Sequence, residues 1–289
     1  MSIIKTSAWP FICQTPGSAG KWGNDQFHLH QNIEECDYWV VYNGLAAPDQ
    51  VLCPVNNTIF ITGEPPIIKS YNLEFLRQFA IVISCHNIVH PNVLHLQPAL
   101  PWTVKKDYDT LKLIPDIEKD RLLSIVTSNK YPKRLEFVYK LKNYFGNEID
   151  LFGRGVNEIA DKWDGISRYK YHVALENCVC PHYWTEKLSD AFLGLSYPFY
   201  YGCPNLADYF SIDSFTAIDI NNFDDAVRAI EKAISENYYD QKKDQLIVAR
   251  NLVLDKYNFF PFIADLCAQL PAANEKIPVT LYPEYTFPR

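Results

Sequence analysis

The chain has no surplus of positive charge, no long apolar run and no phosphate-binding glycine motif. Each absence removes a class of function. Its 289 residues carry a formal charge of −7, which excludes the broad basic face that nucleic-acid backbones require. No stretch reaches the roughly 18 consecutive apolar residues of a membrane-spanning helix. The opening residues, Met1 to Thr6, lack an apolar core of signal-peptide length. The expected location is therefore the cytoplasm, with at most peripheral membrane contact. Gly-x-Gly-x-x-Gly, the P-loop and Gly-x-Ser-x-Gly are all missing, which argues against their associated chemistries. No Asp-x-Asp stands at a strand end to hold a metal, and Cys178 and Cys180 are too close for a zinc knuckle. The eight cysteines need not be paired, because a chain this long builds a core without disulfides. Internal repeats and low-complexity segments are absent as well.

What remains is globular composition, 48% hydrophobic and 21% charged, with 15% aromatics. Short apolar runs alternate with helical patterns, which points to α/β layers. Strands are expected over 37–45, 57–62 and 80–84, the last a continuous apolar run of the parallel-sheet kind. The charged segment 105–121 reads as a linker. Beyond it, strands are expected over 122–128, 149–152, 171–176, 197–201 and 215–218. Helices are expected over 73–79, 131–144, 186–195, 224–237, 239–255 and 259–270, followed by an extended tail. Pro132 suits a first helical turn. Two domains follow, 1–118 and 119–289.

The most informative stretch runs from Tyr169 to Leu195. It places Glu176 and Asn177 at a strand end, then Tyr183-Trp184-Thr185-Glu186-Lys187 at a helix start. Free N–H groups and a fixed ammonium there suit a phosphate. Thr185 as a simple helix cap is the plainer alternative. Gly153-Arg154-Gly155 is either a phosphate-approaching turn or an ordinary one. His86, His90 and His95 lack an accompanying carboxylate and are not expected to bind metal.

The run Tyr169-Lys170-Tyr171, Glu176-Asn177 and Tyr183-x-Thr185-Glu186-Lys187 resembles the donor motif of the α1,3-fucosyltransferases, glycosyltransferase family 10. The likeness implies a GT-B fold, two Rossmann-like domains facing a cleft. The N-terminal domain would bind the acceptor and the C-terminal one the nucleotide-sugar, by analogy GDP-fucose. It implies donor contacts from Glu176, Asn177, Tyr183, Glu186 and Lys187. A cation after Ser128-Asn129 would grip the diphosphate: Arg134, with Lys130 and Lys133 as alternatives. Glu64, in Thr62-Gly63-Glu64-Pro65, matches the family's candidate base. Lys187→Ala is expected to lose activity with near-native folding. No cofactor is expected to be required, divalent metal included. The acceptor would be a GlcNAc- or glucose-containing surface glycan such as lipopolysaccharide, and the reaction inverting. Leu175 in place of Phe, and Tyr201 where a Trp is usual, depart from the pattern. A same-fold transferase for another sugar and a non-catalytic glycan-binding protein are the alternatives.

Overall fold

The structure is a computed structural model, and it describes residues 1–7, 11–99, 102–114, 116–128, 130–270 and 275–288. The chain divides into two compact units. One comprises Met1–Pro101, Asp107–Asp109 and Tyr257–Arg289, the other Trp102–Lys106 and Thr110–Lys256. Asn129, Leu100 and Pro101, which fall in two of the family-like runs, lie outside the described residues.

In the first unit the strands are β1 (Ile3–Ser7), β2 (Lys21–Trp22), β3 (Asp25–Leu29), β4 (Tyr38–Tyr42), β5 (Asp49–Cys53), β6 (Thr58–Ile61), β7 (Ile81–Ile83) and β8 (Val93–Leu94). Seven of them form one sheet in the order β2-β3-β1-β4-β6-β7-β8. Every pairing is parallel except that of β2 with β3. Alternate residues face opposite ways, as strand geometry requires. Val40, Ile59, Ile61 and Ile83 pack on one face, Trp39, Val41, Phe60 and Val82 on the other. Among the described residues the only α-helix of this half before the unit boundary is the short α1 (Leu73–Leu76), capped by Asn72.

The second unit contains α2 (Tyr108–Leu113) from Thr110 onward, β9 (Arg121–Val126), α3 (Pro132–Phe145), β10 (Ile149–Phe152), β11 (Tyr169–Leu175) and α4 (Glu186–Leu193). β12 (Tyr197–Tyr201), β13 (Thr216–Ala217), α5 (Phe223–Ser235), α6 (Tyr238–Gln241) and α7 (Lys243–Leu252) complete it. Its sheet is wholly parallel, β10-β9-β11-β12-β13. β11 is buried along almost its whole length, as a strand covered on both faces must be. Pro132 opens α3, and Thr185 caps α4.

Two expectations need correction. The segment read as a linker carries α2, and Lys105 at its start donates its backbone N–H to Asp161 Oδ1 at 3.0 Å. The boundary at 118 also fails to hold to the C-terminus. Helix α8 (Phe259–Gln269) and strand β14 (Ile277–Leu281) belong with the first unit. Phe259, Phe260 and Ile263 cover the Val40–Ile61 face of its sheet, and β14 pairs antiparallel with β5. An apolar sheet face needs a cover, and the chain returns to supply it. The tail is thus strand and 3₁₀ turn (Glu284–Thr286), not merely extended. Among the described residues no helix is long and apolar enough to cross a membrane.

Candidate functional site

In the second unit the chain order reverses between β9 and β11. From β9 it runs through α3 to β10 on one side, and from β11 through α4 to β12 on the other. The crevice outside the carboxyl ends of such strands is where open α/β sheets bind ligands. Ser128 follows β9 here, and Glu176 and Asn177 follow β11.

Arg134 spans this crevice from the first turn of α3. Its guanidinium donates to Asn177 Oδ1 at 2.8 Å, the Leu175 carbonyl at 3.3 Å and Ser128 Oγ at 3.4 Å. It lies over the Tyr131 ring at 4.7 Å. The guanidinium is buried, and its Nε has no hydrogen-bond partner. Lys130 and Lys133, the alternatives, are exposed.

The start of α4 supplies the second cation. Lys187 Nζ lies 3.3 Å from Glu176 Oε2 and 3.1 Å from Glu186 Oε1, and donates to Thr185 Oγ1 at 2.9 Å. Glu176 is 1% exposed and accepts from the Thr185 backbone N–H at 2.7 Å. Burial pushes the Glu176 carboxyl up, against the pull of Lys187. Burial would also raise Glu186, but Lys187 and Lys162 outweigh it and hold that carboxyl at about 2. Burial would lower the Lys187 ammonium, yet Glu176 and Glu186 hold it above its ordinary value. Only glycine fits at 202: a Cβ there would stand 2.4 Å from Glu176 Cγ.

The geometry brings five of the expected donor residues together: Arg134, Glu176, Asn177, Glu186 and Lys187. Tyr183 lies in the same loop but is 2% exposed, so its ring presents almost no face to a ligand here. Lys162 and Asp190 were missed. Lys162 Nζ sits 3.6 Å from Glu186 Oε1 and 3.4 Å from Asp190 Oδ2. Asp190 was findable, since it stands four residues after Glu186 on one helix face. Lys162 comes from a 3₁₀ turn with no sequence signal. Gly153 is explained without a phosphate: its Cβ would fall 1.7 Å from the Thr127 carbonyl oxygen, so it lets β10 end against β9.

Glu64 belongs to the first unit, on the turn after β6, and is half-buried. Two cavities of about 1070 and about 520 Å³ open at the carboxyl end of that sheet, both bordered by Asn43 and Gly44. The smaller is lined by Ser7, His30, Gln31, Asn32 and Tyr42 among others. The histidines serve separate partners: His86 Nε2 meets the Glu64 carbonyl at 2.6 Å and His90 Nε2 the Phe79 carbonyl at 3.0 Å, while His95 is exposed.

Comparison with known proteins bears on this geometry. Residues 117–277 match the family model for glycosyltransferase family 10 (fucosyltransferase), C-terminal part. The chain is 35% identical over 74 residues to the α-(1,3)-fucosyltransferase FucT of Helicobacter pylori, covering 25% of this chain and 16% of that protein. It is 25% identical over 156 residues to α-(1,3)-fucosyltransferase B of Drosophila melanogaster, 53% of this chain and 32% of the relative. The chain thus spans well under half the length of these relatives. A solved α1,3-fucosyltransferase with GDP-fucose aligns over 95% of this chain and 93% of its own, with a TM-score of 0.52 at 21% identity. The fold is therefore GT-B.

Proposed function

This chain belongs to glycosyltransferase family 10, and from that premise we propose that it transfers L-fucose from GDP-fucose to a hydroxyl of a glycan acceptor. The observation that carries the reading is the pair of cations, buried Arg134 and half-buried Lys187, at the switch-point crevice of the second unit. A planar guanidinium and a helix-start ammonium suit a diphosphate. Asn177 and Glu176 hold these two cations by contacts of the kind a diphosphate could take over.

The reaction is a single displacement with inversion. Glu64 takes the proton of the acceptor hydroxyl, which must lie within hydrogen-bond reach of its carboxylate. The acceptor oxygen bonds to C1 of fucose as the bond from C1 to the phosphate oxygen breaks. GDP departs with that electron pair. Arg134 and Lys187 offset the charge that grows on the diphosphate, so the reading needs no divalent ion. Glu186 would accept from a donor hydroxyl. The acceptor, a GlcNAc- or glucose-containing surface glycan, would bind on the first unit, whose cavities beside Asn43, lined by both polar and apolar side chains, support that choice. A cytoplasmic location completes the reading.

Calorimetry with GDP-fucose on the wild type and on Lys187→Ala tests the donor. Binding in the wild type and none in the variant, measured well below the variant's melting temperature, supports it. Heat with GDP-mannose or a UDP-sugar instead would replace fucose, an outcome toward which Leu175 and Tyr201 lean. No heat with any nucleotide-sugar would leave a glycan-binding module.

A further inference from the structure

The turn that carries Glu64 is held from both sides of its backbone. The Tyr71 hydroxyl accepts from the Gly63 N–H at 3.1 Å and the Glu64 N–H at 3.4 Å. It donates to Asn43 Oδ1 at 2.7 Å. One donor and two lone pairs are all a phenol has, so this hydroxyl is fully committed. On the other side the Glu64 carbonyl meets His86 Nε2 at 2.6 Å. A carbonyl only accepts, so Nε2 carries the proton.

The clamp is itself anchored. Tyr71 and His86 are 8% and 6% exposed, and their rings pack edge to face at 5.3 Å. Asn43 takes a left-handed backbone, φ +61°, and its carbonyl accepts from Lys69 Nζ at 2.9 Å. Lys69 lies over the Tyr71 ring at 4.4 Å and pairs with Glu284 of the C-terminal tail at 3.5 Å. The tail is fixed in turn, because Glu284 accepts from the Asn72 backbone N–H at 2.6 Å. The His86 backbone donates to Ser84 Oγ at 2.9 Å, which accepts from Thr62 Oγ1 at 3.0 Å. Gly63 permits the close approach: a Cβ there would lie 3.0 Å from Asn43 Cβ.

The Tyr71 and His86 bonds fall on three consecutive peptide units, 62–63 to 64–65, and the last two of these flank one carboxylate. We propose that Tyr71 and His86 are positioning residues for Glu64, fixing the direction of its side chain from the backbone, with Asn43 and the Lys69–Glu284 pair orienting Tyr71. The inference rests on Glu64 being the base. Neither Tyr71 nor His86 is assigned contact with the substrates.

The test combines kinetics with hydrogen exchange on the full chain. Tyr71→Phe keeps the ring and removes the hydroxyl. The Gly63 and Glu64 amides should then exchange about fivefold faster or more, as loss of one hydrogen bond implies. Transfer from GDP-fucose to N-acetyllactosamine should lose up to about 10²-fold in kcat, the cost of a misplaced group, with the KM for GDP-fucose unchanged. His86→Leu should act likewise, and His86→Gln, which keeps a donor, should recover part of kcat. If Tyr71→Phe folds poorly, Asn43→Gly serves in its place, since it keeps the left-handed backbone while removing Oδ1. Wild-type kcat and slow exchange in these variants would overturn the clamp. Glu64→Gln separates the two levels. Full activity in that variant removes the base itself, whereas its inactivity beside an unaffected Tyr71→Phe removes only the clamp.

Discussion

The two parallel sheets end in different chemistry. At the carboxyl end of the second unit's sheet, charge is concentrated: Arg134, Lys162 and Lys187 against Glu176, Glu186 and Asp190. At the carboxyl end of the first, neutral groups (Tyr71, Asn43, His86) hold the backbone of one turn. A region built of balanced, half-buried to buried charge is suited to take up a charged ligand by exchanging partners. A region built of neutral hydrogen bonds is suited to keep one side chain in place. On the proposed reading, the leaving group binds at one sheet and the base is presented at the other.

The largest break in that contrast comes from the single carboxylate. Glu64→Gln should lower turnover by about 10²–10⁴-fold, the range for general-base removal, while GDP-fucose binding measured by calorimetry stays intact. Loss of binding in this variant would erase the division of labour. Next comes Lys187→Ala, expected to cost about 10²–10³-fold in turnover and to abolish donor binding. Its folding is not expected to be near-native, contrary to what the sequence implies. Lys187 is the ion-pair partner of Glu176, whose side chain is fully buried, and removing one partner strands the other. A thermal melt should show the loss, and Glu176→Gln in the same chain should restore part of it.

How much could be read beforehand follows the same line. Charged residues at a strand end and a helix start are visible in sequence, so Glu176, Glu186 and Lys187 could be named as candidates there, and β10, β12 and the start of α3 fall where expected. Arg134 was found only as one of three cations. What singles it out is burial, a property of packing that the run Lys130–Arg134 does not encode. The neutral clamp was invisible, because Tyr71 and His86 act on atoms every residue has. The return of α8 and β14 to the first unit was missed for a related reason. Their apolar faces are legible, but the sheet they cover lies some two hundred residues earlier in the chain, and pairing at such separation is set by topology rather than by local pattern.

A smaller effect sharpens the comparison on the charged side. Gly202→Ala would push a Cβ to 2.4 Å from Glu176 Cγ, at a backbone φ of +157°. It should cost about 1–3 kcal/mol by overpacking, read by urea unfolding, and weaken donor binding with it. A variant as stable as the wild type would mean that Glu176 can move freely, and the fixed pairing with Lys187 would lose its support.

The smallest effects are those of pH, and they distinguish the two sheet ends by where they fall. Glu186 is held at about 2, below its ordinary 4.5. Its contribution to stability is present in full above the ordinary value and is lost as pH falls from there through about 2. Glu176 and Asp190 are shifted up by burial, so they oppose this trend, and the wild-type profile alone would hide it. Comparing Tm for the wild type and Glu186→Gln removes their common part: the gap should be widest above pH 4.5 and close toward pH 2. His86 behaves otherwise. Burial lowers its imidazole below the ordinary 6.5, so the unfolded chain takes up a proton first and stability falls as pH drops below that value. His86→Gln should therefore flatten the Tm profile just below pH 6.5 and leave the Glu186 window untouched, whereas a change in both windows would mean that the two sheet ends do not titrate independently.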